Sequence, residues 1–324
     1  MKAMVFEKPR RAVIRDLDVP TIAADEVLVR SRNVGICHSD FELYEGRYII
    51  PISYPIIPGH EWSGEVAEVG DAVTTLRAGD HIVGECVVNN GDDHFGFSIS
   101  GADAEYFVAK ASWLHRIPDE LSFSLGAFVE PFSVAYNATV AAGGIDASDS
   151  VAVIGGGPIG LLCTLAAATM GGAVTLIEPQ AHRRALGLDI GARQAIDPTT
   201  GDLGEQAADA TDGRGFDVVI EAAGVPAAMA TAFPIAALGA RVVFVGIDVG
   251  GSAPVEVGLV QSKALQVRGI IGSAGLWPRT IRFMATSGVD PTPLVTASFP
   301  LGEGTAALDA ARDTSRNVKV QIEC

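Results

Sequence analysis

The stretch that most constrains the fold is residues 151–178, where two apolar runs flank a glycine-rich turn. The first run, Val151–Ile154, is mostly β-branched and leads directly into Gly155–Gly160. Small apolar residues follow, then two glycines, then a second apolar run that ends at Glu178. These periods and breaks predict a strand, a tight turn, a helix and a second strand.

Three glycines of the turn, Gly155, Gly157 and Gly160, have G-x-G-x-x-G spacing. In such a turn the first glycine permits a sharp bend, the second lets the backbone approach a pyrophosphate, and the third lets the helix pack on the strand. Pro158 and Ile159 open the helix, whose N–H groups face the phosphate charge. Glu178, 18 residues beyond Gly160, would accept hydrogen bonds from the adenosine ribose. The alternative is a buried βα unit whose glycines serve only packing.

Length, charge and cysteine content narrow the class of protein. A chain of 324 residues predicts two domains. With 23 basic and 39 acidic side chains the net charge is −16, which disfavours nucleic acid and anionic membranes as partners. Glycines and a proline interrupt the uncharged stretch 151–177, so a buried βαβ unit is a better interpretation than a membrane span. The first eight residues contain no apolar leader and the four cysteines are scattered, which favours a reducing, cytoplasmic location.

The alternation of apolar residues changes along the chain. Period-two patterns between Met1 and about Lys110 predict a compact β-rich domain. From Ser150 onward, strand candidates alternate with helical runs, which predicts an α/β domain with a doubly wound parallel sheet. The predicted strands are Ala12–Ile14, Glu26–Val34, Gly64–Val69, His81–Val88, Glu105–Ala109, Val151–Ile154, Val174–Ile177, Gln194–Ile196, Asp217–Ala222, Arg241–Val245, Gln266–Ile271 and Val318–Ile322; the predicted helices include Phe132–Ala142, Gln180–Leu188, Pro226–Leu238, Thr280–Thr286 and Thr305–Ala311.

Side chains of metal-ligating type occur in the β-rich part. Cys37 and His60 are 23 residues apart, Glu61 follows His60, and Glu130 precedes a predicted helix. Thiolate, imidazole and carboxylate are zinc ligands, and three protein ligands with an open position define a catalytic site. Spacing leaves other interpretations open: Cys37 as a buried apolar residue, His60 as a hydrogen-bonded loop residue, and Glu130 as a helix N-terminal acid.

The combination of motifs resembles the zinc-dependent medium-chain dehydrogenase/reductase family. The resemblance rests on Cys37-x-Ser39-Asp40, on Pro58-Gly59-His60-Glu61-Trp62-Ser63-Gly64-Glu65-Val66, on Gly79-Asp80, on Glu130-Pro131 and on the glycine-rich turn. It covers nearly the whole chain and is greatest for the sorbitol-type, threonine and aminocyclitol dehydrogenase branch. It implies a GroES-like catalytic domain at 1–131 and 276–324 and an NAD-binding Rossmann domain at 132–275.

The resemblance also implies roles for the motif residues. Cys37 and His60 would ligate zinc, with Glu61, Glu130 or both in exchange as the carboxylate ligand. Asp40 would hydrogen-bond the far side of His60 and fix its tautomer. Ser39 would carry the substrate proton away, and His38 would contact the cofactor phosphate, join the proton relay, or remain an exposed loop residue.

One element of the family pattern is missing. Many members carry four closely spaced cysteines, which bind a structural zinc, in a lobe after Gly79-Asp80; this chain has only Cys86 there. A single thiol cannot form a closed four-ligand site, so we expect one zinc ion per chain. Asp92, Asp93 and His94 are better interpreted as a polar surface loop.

The implied chemistry assigns the larger share of catalysis to the metal. Zinc can lower the pKa of bound water from about 15.7 to about 7, which by analogy is worth on the order of 10 kcal/mol for an alcohol. A positioned general base typically contributes roughly 3–5 kcal/mol. Ser39 therefore only conducts the proton, and the nicotinamide supplies the hydride chemistry.

The acid at the end of the second strand bears on cofactor choice. Glu178 can hold the ribose hydroxyls of NAD and would repel the extra phosphate of NADP, although Arg183 and Arg184 could accept that phosphate. Because an arginine at the position of Arg183 commonly lies beside the adenine ring in the family, NAD is favoured. Two further segments match family loops that flank the nicotinamide, or are simply strand ends: Val245-Gly246-Ile247 and Ile270-Ile271-Gly272.

The substrate is the least constrained prediction. The pocket is expected near Ser39, Phe41, Tyr44, Glu130 and Trp277, although Tyr44 and Trp277 could be ordinary packing residues. Sorbitol-type enzymes often place an arginine where this chain has Gly272, so a long open-chain polyol is doubtful. A secondary alcohol on a sugar, cyclitol or smaller diol is favoured.

The leading hypothesis is thus a zinc- and NAD-dependent secondary-alcohol dehydrogenase. The alternatives are a zinc-free quinone or enoyl reductase of the same architecture, and a non-catalytic NAD(H)-binding protein. The family also implies a homodimer or homotetramer, because the segment Arg241–Gly272 contains the last strands of the central sheet and edge strands there commonly pair across a two-fold axis.

Overall fold

The computed structural model describes residues 1–47, 50–273 and 275–324. The strands are β1 Lys2–Lys8, β2 Arg11–Asp16, β3 Glu26–Gly35, β4 Glu61–Val69, β5 His81–Gly84, β6 Val87–Val88, β7 Asp93–His94, β8 Tyr106–Lys110, β9 Leu114–Arg116, β10 Ser150–Ile154, β11 Ala173–Ile177, β12 Gln194–Ile196, β13 Phe216–Glu221, β14 Ala236–Phe244, β15 Gln266–Gly269, β16 Val295–Pro300 and β17 Lys319–Glu323. The α-helices are α1 His38–Glu45, α2 Phe123–Gly126, α3 Val129–Ala141, α4 Pro158–Thr169, α5 Ala181–Asp189, α6 Leu203–Ala210, α7 Pro226–Ile235, α8 Gly258–Ser262, α9 Trp277–Thr286 and α10 Gly304–Arg312.

The chain divides into two compact units. Unit 1 comprises Met1–Glu130, Trp277–Ala285 and Val295–Cys324. Unit 2 comprises Pro131–Leu276 and Thr286–Leu294. The domain limits drawn from the sequence remain predictions; in the structure, Thr286–Leu294 groups with unit 2 rather than with unit 1.

Unit 2 contains the parallel sheet that the alternating pattern predicted. Its six strands have the order β12-β11-β10-β13-β14-β15, and every neighbouring pair is parallel. The order reverses direction on either side of β10, as in doubly wound dinucleotide-binding sheets. The strands β10 and β13 are almost wholly buried, because helices cover both faces of such a sheet. The predicted α/β fold class is confirmed.

Unit 1 is built on a seven-stranded sheet in which β3 is central. The strand β3 pairs antiparallel with β4, β8 and β17, and β16 extends the sheet beyond β17. One core cluster contains Val27, Val29 and Trp62; another contains Phe6, Leu43 and Ile322. The predicted β-rich unit is therefore present, and it carries Cys37, His60 and Glu61 at the ends of its strands.

Several elements differ from the sequence-based predictions, and for three of them the reason can be identified. The strand β1 buries four consecutive residues, Ala3–Phe6, so period-two alternation does not reveal it. The strand β16 alternates apolar and polar residues but is short and ends in Pro300, and a proline within a run weakens the strand signal. The strand β14 begins at Ala236, five residues before the predicted start, because the helical pattern of α7 ends earlier, at Ile235.

Across the described part of the chain, no helix combines the length and apolar character needed to span a lipid bilayer.

Candidate functional site

The first candidate ligand, Cys37, stands immediately before α1. It is the N-cap residue of that helix, with extended backbone angles of φ −104° and ψ 159°. Its N–H donates a 2.8 Å hydrogen bond to Oδ2 of Asp40. An acid in the first turn is favourable because it satisfies an otherwise unpaired N–H and complements the helix dipole. The turn thus fixes both Cys37 and Asp40.

The second candidate, His60, is positioned by a glycine and by Asp40. Gly59 has φ +95°, and a Cβ there would lie 2.9 Å from the backbone nitrogen of Asp103. His60 is buried, with Nδ1 3.3 Å from Oδ1 of Asp40 and Nε2 3.4 Å from Oγ of Ser39. Asp40 therefore faces the nitrogen that points away from Ser39, leaving Nε2 as the nitrogen available to a metal.

Burial and charge act in opposite directions on His60. Burial lowers its pKa, but attraction to Asp40 and contact with Cys37 together raise that pKa well above its usual value. A neutral imidazole is the form that binds a metal, so metal and proton compete for this side chain.

The third candidate, Glu61, is the first residue of β4 and is 1% exposed. It pairs with Gly35 of β3, and a Cβ at Gly35 would overlap its Oε2. Among the residues that the structure describes, one group of metal-ligating side chains comes together, consisting of Cys37, His60 and Glu61 with ligand atoms all within 4.8 Å of one another. A thiol, an imidazole and a carboxylate at this spacing fit zinc.

A buried lysine, which the sequence analysis missed, contacts this group. Nζ of Lys319 lies 2.6 Å from Oε2 of Glu61 and 3.2 Å from the carbonyl oxygen of Ile36. The side chain of Lys319 is 2% exposed. Glu61, Cys37 and Glu130 all raise its pKa, against the opposing effect of burial. No pattern in the sequence marks Lys319, because its strand also contains Gln321 and Glu323, and only its burial shows that it needs a counter-ion.

Glu130 lies in the first turn of α3, and the charges of His60, Glu61 and Lys319 affect its pKa. Its pKa is raised to about 7, chiefly by burial, with Glu61 also raising the pKa and His60 and Lys319 lowering it. It stands outside the group of Cys37, His60 and Glu61. Glu130 therefore changes charge near neutral pH close to the candidate ligands.

In the region where many zinc-dependent medium-chain dehydrogenases carry four structural cysteines, this chain has a short polar turn that follows Cys86. Burial raises the pKa of the Cys86 thiol to about 12, and its Sγ lies 3.7 Å from the carbonyl oxygen of Phe95. Nδ2 of Asn89 donates to Asp93 at 2.7 Å, and the N–H of His94 donates to Ser98 at 2.8 Å. The turn is thus held by its own hydrogen bonds.

The residues predicted to contact substrate lie in different surroundings. The hydroxyl of Tyr44 donates to the carbonyl oxygen of Arg10 at 2.8 Å, and the guanidinium of Arg312 stacks over Phe41 and Tyr44. Trp277 is buried and stacks on His115 at 5.8 Å between ring centroids. All of these contacts are within the protein, and the roles of Phe41, Tyr44 and Trp277 in substrate binding remain predictions.

His38 has an exposed side chain with Nε2 3.7 Å from Oε1 of Glu42. The roles considered for His38, a contact with the cofactor phosphate or membership of a proton relay, remain predictions.

In unit 2 the glycine-rich turn follows β10 as predicted. Gly155 has φ +98°, and a Cβ at Gly160 would overlap the carbonyl oxygen of Gly155. Gly157 is the N-cap of α4, and Pro158 and Ile159 are its first two residues. The first and third glycines are thus required by conformation and close packing, and the helix N-terminus faces the turn.

The acid predicted to bind ribose is held in place by backbone N–H groups. Oε2 of Glu178 accepts from Gly156 at 2.6 Å, and Oε1 accepts from Gln180 at 2.8 Å. Arg184 is committed to the carbonyl oxygen of Glu178 and to Asp197, which lies 3.0 Å away. Arg183 is mostly buried. The turn therefore presents an oriented carboxylate.

The segments predicted to flank the nicotinamide leave two apolar side chains exposed. Val245 and Gly246 donate N–H groups to the carbonyl oxygen of Glu221, while Ile247 is 58% exposed. In the second segment, Ile270 donates to Phe244, Ile271 is 74% exposed, and the carbonyl oxygen of Gly272 accepts from Asn137. Exposed apolar side chains beside a fixed backbone are compatible with an apolar ring as a ligand.

Known proteins match both units. The family described as "Alcohol dehydrogenase GroES-like domain" matches residues 23–119, and "Zinc-binding dehydrogenase" matches residues 158–286. Sorbitol dehydrogenase of Bacillus subtilis (strain 168) is 32% identical, covering 96% of this chain and 93% of its own length. Sorbitol dehydrogenase of Gallus gallus is 30% identical, covering 99% and 96%. The crystal structure of 2R,3R-butanediol dehydrogenase from Bacillus subtilis has a TM-score of 0.92 at 28% identity, covering 100% of this chain and 99% of that one.

Zinc affinity is expected to depend on the charge of Glu130. Because its pKa is about 7, the carboxylate is mostly protonated at pH 6 and mostly ionised at pH 8. Ionisation of this one group should raise the zinc association constant about tenfold over that range, since an anion attracts the cation and metal binding displaces protons. Competition with a chromophoric chelator measures the constant.

The substitution Glu130→Gln should remove this tenfold component and leave the pH dependence that arises because His60 must lose a proton to bind the metal. The half-buried Glu65 provides the control Glu65→Gln, which should retain the wild-type pH dependence. Identical pH profiles for Glu130→Gln and wild type would show that Glu130 does not act at the site.

Proposed function

Because the chain belongs to the zinc-dependent medium-chain dehydrogenase/reductase family, we propose that it transfers a hydride between NAD(H) and the secondary-alcohol carbon of a polyol, sugar or cyclitol-type substrate. The family expected from the motifs is confirmed. The observation that carries the proposal is the convergence of Cys37, His60 and Glu61, with ligand atoms within 4.8 Å.

The zinc site would be formed by Cys37, His60 and Glu61. When bound, zinc supplies a Lewis acid for the substrate oxygen, and NAD supplies the hydride acceptor. Lys319 and the metal would share the carboxylate of Glu61, because Nζ is already 2.6 Å from Oε2. Glu130 provides a second carboxylate in the same field of charge. The absence of a closed cysteine set around Cys86 supports one zinc ion per chain.

Ser39 would transfer the proton of the substrate hydroxyl, and Asp40 would orient the imidazole of His60. The hydroxyl of Ser39, next to Nε2 of His60, can accept the proton of a substrate alcohol and pass it onward. Asp40 orients His60 through Nδ1 and is itself fixed by the N–H of Cys37. In the reverse direction, Ser39 returns the proton to the oxygen of the reduced ketone.

The two sorbitol dehydrogenases and the butanediol dehydrogenase support a substrate with a secondary alcohol beside further hydroxyl groups. Gly272 has no side chain to contact a long open-chain polyol, so the proposed substrate is a secondary alcohol on a sugar, a cyclitol or a smaller diol. A substrate of this kind needs several hydrogen-bond partners in its pocket.

Two other functions have less support. A zinc-free quinone or enoyl reductase does not need the thiol, imidazole and carboxylate group, and zinc well below one equivalent per chain would favour that class. A non-catalytic NAD(H)-binding protein would bind NADH tightly without turning over any alcohol or ketone. The intact candidate ligand set favours the dehydrogenase.

We also propose a homodimer or homotetramer in the cytoplasm. The edge strand β15 is exposed along its whole length and includes the partly apolar surface of Val267. A free sheet edge of this kind can pair across a two-fold axis. The four unpaired cysteines fit a reducing compartment. Sedimentation velocity tests the assembly, and a monomer at micromolar concentration would contradict it.

The substitution Cys37→Ser should abolish zinc binding and turnover while leaving NADH affinity unchanged, because it removes a ligand and leaves the nucleotide turn intact. Wild-type protein should reduce NAD with at least one member of a panel of polyols, cyclitols, amino alcohols and simple secondary alcohols. Metal analysis, absorbance at the NADH band and NADH fluorescence titration measure the three properties.

Cys324→Ser is a matched control, since Cys324 is a thiol in unit 1 outside the candidate ligand group. It should retain zinc and activity. Full activity of Cys37→Ser would refute the proposed site, and a wild-type protein inactive across the whole panel would count against the proposed function.

The substitution Glu178→Ser should raise the use of NADP relative to NAD by about tenfold or more, because it removes the charge that repels the additional phosphate and the acceptor of the ribose hydroxyls. The ratio of kcat/KM for the two cofactors measures this effect. Glu205→Ser, at an exposed position of α6, is the control. An unchanged ratio in Glu178→Ser would contradict the assignment of Glu178 to ribose binding.

A further inference from the structure

Glu221, which no sequence motif singled out, is a fully buried acid beside the nucleotide turn. It is the last residue of β13, and its exposed fraction is 0%. The strand β13 is the neighbour of β10 on the side opposite to β11. Glu221 therefore lies at the carboxyl edge of the sheet, next to the point where the strand order reverses.

The side chain and the carbonyl group of Glu221 hold two different turns. Oε1 accepts hydrogen bonds from the N–H groups of Ala223, at 2.8 Å, and Gly224, at 3.0 Å. The carbonyl oxygen accepts from the N–H groups of Val245, at 2.8 Å, and Gly246, at 3.1 Å. One residue thus fixes the turn after β13 and the turn after β14.

These two turns pack against each other and against the glycine-rich turn. A Cβ at Gly246 would overlap the backbone nitrogen of Gly224 and lie 2.7 Å from Oε2 of Glu221. A Cβ at Gly155 would lie 2.8 Å from Cα of Ala223. Because the contacts of Gly246 with Gly224 and Glu221 leave no room for another atom, the position of Glu221 is transmitted directly to the turns after β13 and β14. The glycine-rich turn has its own anchors on the β11 side, since Gly155 donates to the carbonyl oxygen of Ile177 and Gly156 donates to Glu178.

The second oxygen of the carboxyl group is unusual. Oε2 of Glu221 is buried without a hydrogen-bond partner among the residues that the structure describes. Burial raises the pKa of Glu221, and the N–H groups of Gly224 and Ala223 oppose that effect only in part. A buried acid with half of its hydrogen-bonding capacity unused is costly for stability, so a positional role accounts for its presence better than a purely structural one.

The sheet order indicates which part of the cofactor lies above these turns. Dinucleotides bind across the carboxyl ends of the strands at the reversal point. The adenosine half belongs to the β11 side, where Glu178 follows the strand. The nicotinamide half therefore belongs to the side of β13 and β14, where Glu221 holds both turns.

We propose that Glu221 is a positioning residue that sets the two turns beneath the nicotinamide half of NAD and so controls affinity for NADH but not for ADP. The inference rests on the proposed use of NAD. ADP carries the adenosine and pyrophosphate groups and lacks the nicotinamide riboside, so it reports on the glycine-rich turn and Glu178 alone.

The test compares Glu221→Leu and Glu221→Gln in the full-length, zinc-loaded protein. Calorimetric titration with NADH and with ADP gives the two dissociation constants. Glu221→Leu should weaken NADH binding about tenfold or more, because two N–H groups lose their acceptor, and should change ADP binding by less than about twofold. Glu221→Gln should bind both nucleotides within about twofold of wild type, because its carbonyl oxygen accepts the same N–H groups.

Equal weakening of NADH and ADP binding in Glu221→Leu would indicate a general structural role and overturn the proposal, as would unchanged NADH affinity. NADH binding by Glu221→Gln that is as weak as that of Glu221→Leu would also overturn it.

If Glu221→Leu fails to fold, Gly246→Ala displaces the same turn and should show the same selective loss of NADH affinity. Wild-type protein that binds ADP but not NADH would refute the proposed function, and this inference with it, whereas loss of the selective effect in the variants refutes the inference alone.

Discussion

The pairing of β3 with β4 is the constraint on which the candidate metal site depends. The register places Gly35 opposite Glu61, and only a residue without a side chain at position 35 leaves space for the carboxylate of Glu61. The chain continues from Gly35 to Cys37, whereas β4 is entered through His60. The strand β17 pairs with the other side of β3 and brings Lys319 to the same end of the sheet. A shift of register by one residue would turn these side chains to the opposite face.

The result is a concentration of charge in a region that is otherwise apolar. Asp40, His60, Glu61 and Lys319 are each less than 5% exposed, and the ring of Phe97 lies 4.8 Å from the ring of His60. Buried ion pairs of this kind contribute little to stability compared with apolar side chains of the same size, because desolvation offsets their attraction. Their presence is explained by the chemistry of the site, where an acid fixes an imidazole and a lysine balances a carboxylate. The thiol of Cys37, the imidazole of His60 and the carboxylate of Glu61 fit a metal cation as their common partner.

The elements of the parallel-sheet unit could be predicted from the sequence, because each depends mainly on the pattern of its own residues. The strand, turn, helix and acid of residues 151–178 are encoded within one contiguous segment, and the structure has them at nearly the predicted limits. The Cys37, His60 and Glu61 group required the family resemblance, because spacing alone does not reveal that two strand ends meet. Lys319 and Glu221 could not be assigned from the sequence. Their partners are distant residues or backbone groups, and a lysine or a glutamate at a strand end is unremarkable until its burial is known.

The central claim is that one metal ion is held by a single thiolate together with nitrogen and oxygen ligands. X-ray absorption at the zinc edge of the purified, full-length protein tests this claim directly. The account predicts one zinc per chain with one sulfur at about 2.3 Å and its remaining nitrogen and oxygen ligands at about 2.0–2.2 Å. A shell of four sulfurs, a shell without sulfur, or a zinc content far below one per chain would contradict it.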